Sequence, residues 1–269
     1  MPREIDKSIA TLERTLGGMR RVAVAVSGGV DSVTLACAAH RCLGAEAVMF
    51  HAVSPAVPPE ASERTRRHAS RLGWNLQVID AGEFADPEYL RNPANRCFYC
   101  KSNLYAAIAS RWDGIIASGT NVDDLSDFRP GLEAAKRRDV RHPYVEAGID
   151  KATVRGIAAA FGLGEMADLP ASPCLSSRLE TGIRVDAGKL GLVHAVETLV
   201  GRSLQAMTVR CRIRRDGVVI ELDEPAYEKA VRAANTGLRR ELERLCSASG
   251  LPLAARFERY RMGSAFLKT

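Results

Sequence analysis

Apolar residues recur along the chain in two rhythms. Ile5, Ile9, Leu12 and Leu16 fall at helical spacing and predict an amphipathic helix over 5–18. Residues 22–26 form an unbroken apolar run, and 45–53 a second, near-continuous one. Such runs suit parallel strands buried on both faces. A helix is expected over 60–72, closed by Gly73, then a strand over 75–80, a helix from about 97 to 111 and a short strand over 114–118. Asp150 is placed to cap a helix over 151–161 that Gly162 stops. Strands alternating with helices predict an α/β fold with a doubly wound, mainly parallel sheet. Ligands of such sheets bind beyond the carboxyl ends of the strands.

After about residue 180 the rhythm changes. A helix over 186–200 precedes strand-like segments 206–213 and 217–222, with Arg215-Asp216-Gly217 as their turn. A helix over about 225–248 and a strand over 252–258 complete the chain. The expected division is a larger domain over 1–180 and a smaller α+β domain over 181–269.

The junction between the first strand and the alanine-rich segment after it reads Ser27-Gly28-Gly29-Val30-Asp31-Ser32. Adjacent glycines let the backbone approach an anion without a Cβ in the way. The helix that follows presents unpaired N–H groups and the positive end of its dipole. With the Ser27 and Ser32 hydroxyls these form an expected phosphate pocket. GxxxxGKS/T is absent, so this is not a Walker loop, and GxGxxG is missing as well. A second constellation, Gly119-Thr120-Asn121-Val122-Asp123-Asp124, also follows a strand on the ligand side. Asp123 and Asp124 are placed to hold Mg²⁺, which takes one or two carboxylates with phosphate oxygens and water. By themselves they also read as an Asp-rich turn or helix cap.

Composition narrows the partners. The chain has 269 residues, 46% hydrophobic and 26% charged, with a net charge of +6. The basic balance suits an anionic ligand, and the basic residues are dispersed enough that solvated faces account for most of them. No apolar run reaches the length of a membrane span, and charges stand where a signal peptide needs an apolar core. The expected location is the cytoplasm. Seven cysteines, an odd count, argue against a disulfide framework. Cys37, Cys42 and Cys246 read as core residues in helices, and Cys211 as a core residue of its strand.

Cys97-Phe98-Tyr99-Cys100 puts two sulfurs on nearly one face at a helix start, where the dipole favours thiolate. Arg96, Lys101 and Arg178 add positive charge. Cys174, in Ser172-Pro173-Cys174-Leu175-Ser176-Ser177-Arg178, is the third member of the set. Three cysteines can hold three irons of a [4Fe–4S] cluster and leave the fourth open for a hydrosulfide. Zinc with a fourth His or Asp ligand is the alternative.

SGGVDS resembles the pyrophosphate-binding loop of the PP-loop ATP pyrophosphatases (adenine nucleotide alpha hydrolase-like proteins). Across residues 5–265 the resemblance becomes specific. Asn92-Pro93, Arg96 to Lys101, GTNVDD, Arg129-Pro130-Gly131, Pro170 to Arg178 and Tyr260-Arg261-Met262-Gly263-Ser264 together resemble the LarE family. The resemblance implies an ATP-dependent sulfur transferase that adenylates a carboxylate of pyridinium-3,5-dicarboxylate mononucleotide and converts it to a thiocarboxylate for the nickel-pincer nucleotide cofactor.

It implies ATP binding by Ser27, Gly28, Gly29, Asp31, Ser32, Gly119, Thr120, Asp123 and Asp124, with Asp31 and Ser32 in the catalytic loop. Cys174 matches the sulfur-bearing cysteine, which in one version gives up its own sulfur. In another version Cys97, Cys100 and Cys174 bind a [4Fe–4S] cluster, and the presence of all three favours that version. Arg178, Glu197, Arg210 and Arg212 correspond to a substrate phosphate site; a solvated basic strand beside Arg214 and Arg215 is the alternative reading of the arginine pair. A sulfide or sulfur-donor protein and assembly as a homo-oligomer are further expectations. Neither a membrane nor nucleic acid is expected as a partner. The ending Met262-Gly263-Ser264-Ala265-Phe266 departs from the family's usual Gly-Ser-Met-Asn. A tRNA thiolase, a nucleotide sensor without chemistry and an ammonia-using synthetase are the rival readings.

Overall fold

The computed structural model describes residues 2–126, 130–170, 172–232, 236–251 and 253–261. Arg129, Ala171 and the ending 262–266, which carry parts of the motifs above, lie outside the described residues. The chain divides into two compact units, Met1–Asp86 with Asn95–Ser172, and Pro87–Ala94 with Pro173–Thr269.

In chain order the first unit carries α1 (Pro2–Gly17), β1 (Val22–Ala25), α2 (Val30–Leu43), β2 (Ala47–Ala52), α3 (Pro59–Leu72) and β3 (Asn75–Ile79). The short α4 (Pro87–Leu90) belongs to the second unit. The first unit resumes with α5 (Arg96–Ala109), β4 (Ile115–Ser118), α6 (Pro130–Lys136), α7 (Pro143–Glu146) and α8 (Lys151–Ala160). Its strands are all parallel, in the order β3-β2-β1-β4. β1 is buried on both faces. Val22 and Val24 pack with Leu12 and Leu16 of α1, Val33 of α2 and Ile157 of α8. Ala23 and Ala25 face the other way, toward Tyr105 and Ile108 of α5 and Ala135 of α6. This two-sided burial is why the strand reads as a continuous apolar run. The chain moves outward from β1 to β2 to β3, then returns to lay β4 on β1's other side. The loops after β1 and β4 therefore face each other where the strand order reverses, the place where open α/β sheets bind ligands.

The second unit adds α9 (Ala187–Leu204), β5 (Val209–Arg214), β6 (Gly217–Leu222), α10 (Glu224–Arg232), α11 (Thr236–Ala248) and β7 (Leu253–Arg259). β5 and β6 form the expected antiparallel hairpin, from Val209↔Leu222 to Arg214↔Gly217, and β7 joins β6 in parallel. α9 runs past the expected 200 and ends where Gln205 turns left-handed at φ 53°. The helix expected over 225–248 is described in two segments, α10 and α11. The short helices α4, α6 and α7 are too brief for periodicity to show. Residues Pro87–Ala94 group with the second unit. There Val185 N donates to Leu90 O (2.9 Å), Gly182 N to Asn92 O (2.9 Å) and Asn92 Nδ2 to Glu180 O (2.8 Å). No described helix is long and apolar enough to cross a membrane.

Candidate functional site

The first unit's loop begins where β1 leaves the sheet. Gly28 sits at φ +82°, and a Cβ there would lie 2.5 Å from Ala61 O of α3. Only glycine allows both the conformation and the approach. Arg64 Nε donates to Gly28 O at 2.7 Å. Ser27 N donates to Ser32 Oγ (3.0 Å), Ser32 Oγ donates to Gly29 O (3.1 Å), and the two serine hydroxyls lie 3.1 Å apart. Ser32 thus laces the loop closed. Gly29 caps α2 from extended backbone and contributes no side-chain capping bond. The loop presents glycines and hydroxyls at a helix N-terminus, which suits phosphate.

The loop after β4 presses against this one. A Cβ on Gly119 would lie 3.0 Å from Asp31 C and Ser32 N, both backbone atoms. Asn121 is buried and starts a capping box: its Oδ1 accepts from Asp123 N (3.0 Å), while Asp124 Oδ2 accepts from Asn121 N (3.1 Å). Asn121 Nδ2 donates to Asp31 Oδ1 at 3.1 Å, and Lys151 Nζ pairs with Asp31 Oδ2. Asp123 Oδ2 accepts from Lys151 N, the first residue of α8, at 3.1 Å. One oxygen of each aspartate therefore holds the backbone of this loop or of α8. Asp150 caps α8 as expected, accepting from Thr153 N at 2.8 Å.

Several members of this site escape motif reading. Lys151 stands at a helix start, where its charge opposes the dipole, and that mismatch is the signal that could have marked it. Tyr144 is fully buried and donates its hydroxyl to Asp31 O at 3.0 Å. Burial, with the Asp31 charge and Cys37 adding, holds its phenol well above the ordinary tyrosine range, so it remains a donor. His51 Nδ1 meets Val26 O at 2.8 Å, so that nitrogen carries the proton, and Nε2 accepts from Ser62 Oγ at 2.9 Å. Burial pushes the His51 pKa down. These bonds tie the base of the loop to α3. Ser118 Oγ, at the end of β4, lies 2.9 Å from His142 Nδ1 and 3.2 Å from Thr120 Oγ1.

The seven cysteines sort by burial, and none is in a disulfide. Cys37, Cys211 and Cys246 are in the core, and Cys42 donates to Glu13 O. Burial raises the Cys211 thiol well above its ordinary value. Cys97 is exposed and Cys100 half-buried, both in the first turns of α5 and three residues apart. Gly131 of α6 packs over this turn, where a Cβ would lie 3.1 Å from Lys101 Cγ. Cys174, half-buried, belongs to the second unit and precedes a 3₁₀ turn, Leu175–Arg178. Among the described residues no group of three or more His, Cys, Asp or Glu that could hold a metal ion is found.

Within the second unit, Arg178 is 2% exposed and grips Glu197 with both ends of its fork, Nε to Oε1 (2.9 Å) and Nη2 to Oε2 (3.0 Å). Its Nη1 donates to Pro173 O (2.6 Å) and Cys174 O (3.1 Å). Glu197 Oε1 also accepts from Cys211 N at 2.9 Å. The pair thus fastens the Cys174 segment and β5 to α9. Arg212 donates to Glu221 Oε2 and to Ser177 O, both at 3.0 Å. Arg210 is oriented differently, with its guanidinium carbon 5.6 Å from the centre of the Tyr260 ring. Burial lowers the Arg210 pKa, the Arg178 charge adds to this and Glu197 opposes it. The structure brings Arg178, Glu197 and Arg210 together and directs Arg212 to Glu221.

No family model matches the chain. It is 37% identical over 238 residues to an uncharacterized protein of Synechocystis, covering 87% of this chain and 88% of the relative. It is 31% identical over 220 residues to the pyridinium-3,5-bisthiocarboxylic acid mononucleotide synthase of Lactiplantibacillus plantarum, covering 80% and 79% of the two chains. A 140-residue stretch is 28% identical to a component of the glutamine-hydrolyzing GMP synthase of Methanopyrus kandleri, covering 48% and 43%.

Proposed function

The chain belongs to the LarE family, and from that membership we propose that it is an ATP-dependent sulfur transferase acting on pyridinium-3,5-dicarboxylate mononucleotide. The observation that carries the ATP half is the SGGVDS loop, laced by Ser32 and pressed by Gly119 at the reversal point of a parallel sheet. A substrate carboxylate oxygen attacks the α-phosphorus, the bond to the bridging oxygen breaks, and pyrophosphate leaves. The α2 N-terminus and the Ser27 hydroxyl receive its charge, with Ser32 lacing the loop. Asp31, Gly119 and Thr120 shape the nucleotide's side of the loop. Carboxylates are the donors Mg²⁺ takes, and Asp123 and Asp124 are the residues that would hold it, to neutralise phosphate charge.

The acyl-adenylate's carbon then accepts a sulfur nucleophile, and AMP departs with the electron pair of the broken bond. Cys174 is the sulfur-bearing residue of this reading. Cys97 and Cys100 of the first unit and Cys174 of the second are thiols outside the core and outside any disulfide, and cysteine thiolates are the ligands that iron–sulfur clusters take. A [4Fe–4S] cluster held by these three would supply inorganic sulfide to the transfer. Arg210 takes the substrate's phosphate, supported by Arg178, Glu197 and Arg212. The two units correspond to a nucleotide domain and a smaller substrate domain. The reading also places the protein in the cytoplasm as a homo-oligomer, served by sulfide or a sulfur-donor protein.

The test is to incubate the protein with ATP, Mg²⁺ and the mononucleotide and identify the nucleotide products. AMP and pyrophosphate, formed only when the mononucleotide is present, support the reading. ADP and phosphate contradict it.

A further inference from the structure

Arg210, Arg212 and Arg214 alternate along β5 and so share one face of the second unit's sheet. Their surroundings differ. Arg212 and Arg214 converge on the buried Glu221, each at 3.0 Å, and Arg214 also meets Glu258 Oε2 at 3.3 Å. Arg210 donates to Val209 O at 2.9 Å and lies over Tyr260. Tyr260 follows β7, and its backbone N–H donates to Leu222 O at 2.7 Å, at the end of β6 that pairs with the start of β5. That bond anchors the Tyr260 backbone to β6, and the Arg210 guanidinium lies over its ring. Tyr260 is half-buried, so part of the residue stays open to solvent.

We propose that Tyr260 is the platform on which the pyridinium ring of the substrate stacks, with Arg210 beside it on the phosphate. This inference rests on the substrate class proposed above. A tyrosine face attracts cations, as the Arg210 guanidinium over it illustrates, and flat aromatic partners add stacking. A pyridinium is both a cation and a flat ring. Its single positive charge is outweighed by two carboxylates and a phosphate, which answer the positive charge of Arg210. A tyrosine ring with an arginine at it fits a ligand carrying an aromatic cation at one end and a phosphate at the other. A plain sugar phosphate would use the arginine alone.

The test measures two probes by calorimetry on the full chain: pyridinium-3,5-dicarboxylate mononucleotide, and ribose 5-phosphate as its competitor. Tyr260→Phe is expected to keep most of the mononucleotide affinity. Tyr260→Leu is expected to lose roughly 3- to 30-fold of it, the scale of a cation–π contact, while ribose 5-phosphate changes by less than about twofold. Unchanged mononucleotide binding in Tyr260→Leu, or equal loss for both probes, overturns the stacking role. Should Tyr260→Leu fail to fold, Tyr260→Trp substitutes for it. Its larger π face is expected to tighten mononucleotide binding, and unchanged or weaker binding overturns the proposal. A wild-type protein that binds ATP but not the mononucleotide overturns the substrate class itself, an outcome distinct from a failure at Tyr260 alone.

Discussion

Lys151 pairs with the Asp31 carboxylate, joining the first residue of α8 to the second residue of α2. Asn121 holds the other oxygen of the same carboxylate at 3.1 Å. One acidic side chain on α2 thus receives contacts from two further segments, α8 and the loop after β4, that meet it at the reversal point of the sheet. Lys151→Met is expected to cost at most about 1 kcal/mol of stability, because the pair is partly exposed. Its effect on ATP turnover is expected to be larger, roughly 10- to 100-fold, through a loop that no longer holds its shape. Thermal melts and steady-state AMP formation separate the two effects.

Gly119→Ala tests the closeness of the two loops. The new Cβ would meet two backbone atoms at 3.0 Å, and backbone can yield only by moving the loop. A loss of about 1–3 kcal/mol in unfolding free energy is expected, together with weaker ATP binding by calorimetry. A variant as stable and as tight as wild type would show that the loops do not constrain each other.

His51 gives the stability a pH dependence of known sign. Its folded pKa lies below the ordinary 6.5, so the unfolded chain takes the proton more readily. Its contribution is full above that value and falls as pH drops through it. Acidification from neutral pH should therefore lower the melting temperature, and His51→Asn should flatten part of that slope.

Arg178→Met takes both fork bonds from the half-buried Glu197 carboxylate. With Arg178 buried and Glu197 partly exposed, the loss is expected to stay below the roughly 3–5 kcal/mol of a fully buried pair, and denaturant unfolding would register it. Because Arg178 also holds Cys174 O, a faster reaction of Cys174 with a thiol reagent is expected in Arg178→Lys, which keeps the charge but loses the fork.

The parallel sheet was legible because β1 and β2 are buried on both faces and leave long apolar runs. The loops were legible because SGGVDS and GTNVDD each follow a strand on the ligand side of the sheet, although glycine and aspartate alone also read as turns. Tyr144 and His51 were not, since each acts through a contact with a distant segment that no local pattern records, and for Lys151 the only local mark was a positive charge at a helix start. Arg178, Glu197 and Arg212 were legible as charged residues, but sequence did not show that Glu197 and Glu221 are their fixed partners. Pro87–Ala94 looked like part of a continuous first domain because its grouping depends on backbone bonds to residues near 180.

The cysteines separate two routes for sulfur. With a [4Fe–4S] cluster, anaerobic protein should contain about four irons per chain, and replacing any one of Cys97, Cys100 or Cys174 should remove most of the iron and of the repeated turnover. With a sacrificial Cys174, only that replacement should abolish transfer, and wild-type protein should lose the mass of H₂S in one turnover. Iron analysis and intact-protein mass spectrometry give the answer together.

The most direct measurement of the central claim is the mass of the mononucleotide after reaction with ATP and Mg²⁺. Exchange of a carboxylate oxygen for sulfur, with one AMP formed for each exchange, is the expected result. A mononucleotide that returns unchanged while ATP is consumed, or one that gains nitrogen in place of sulfur, would contradict the assignment.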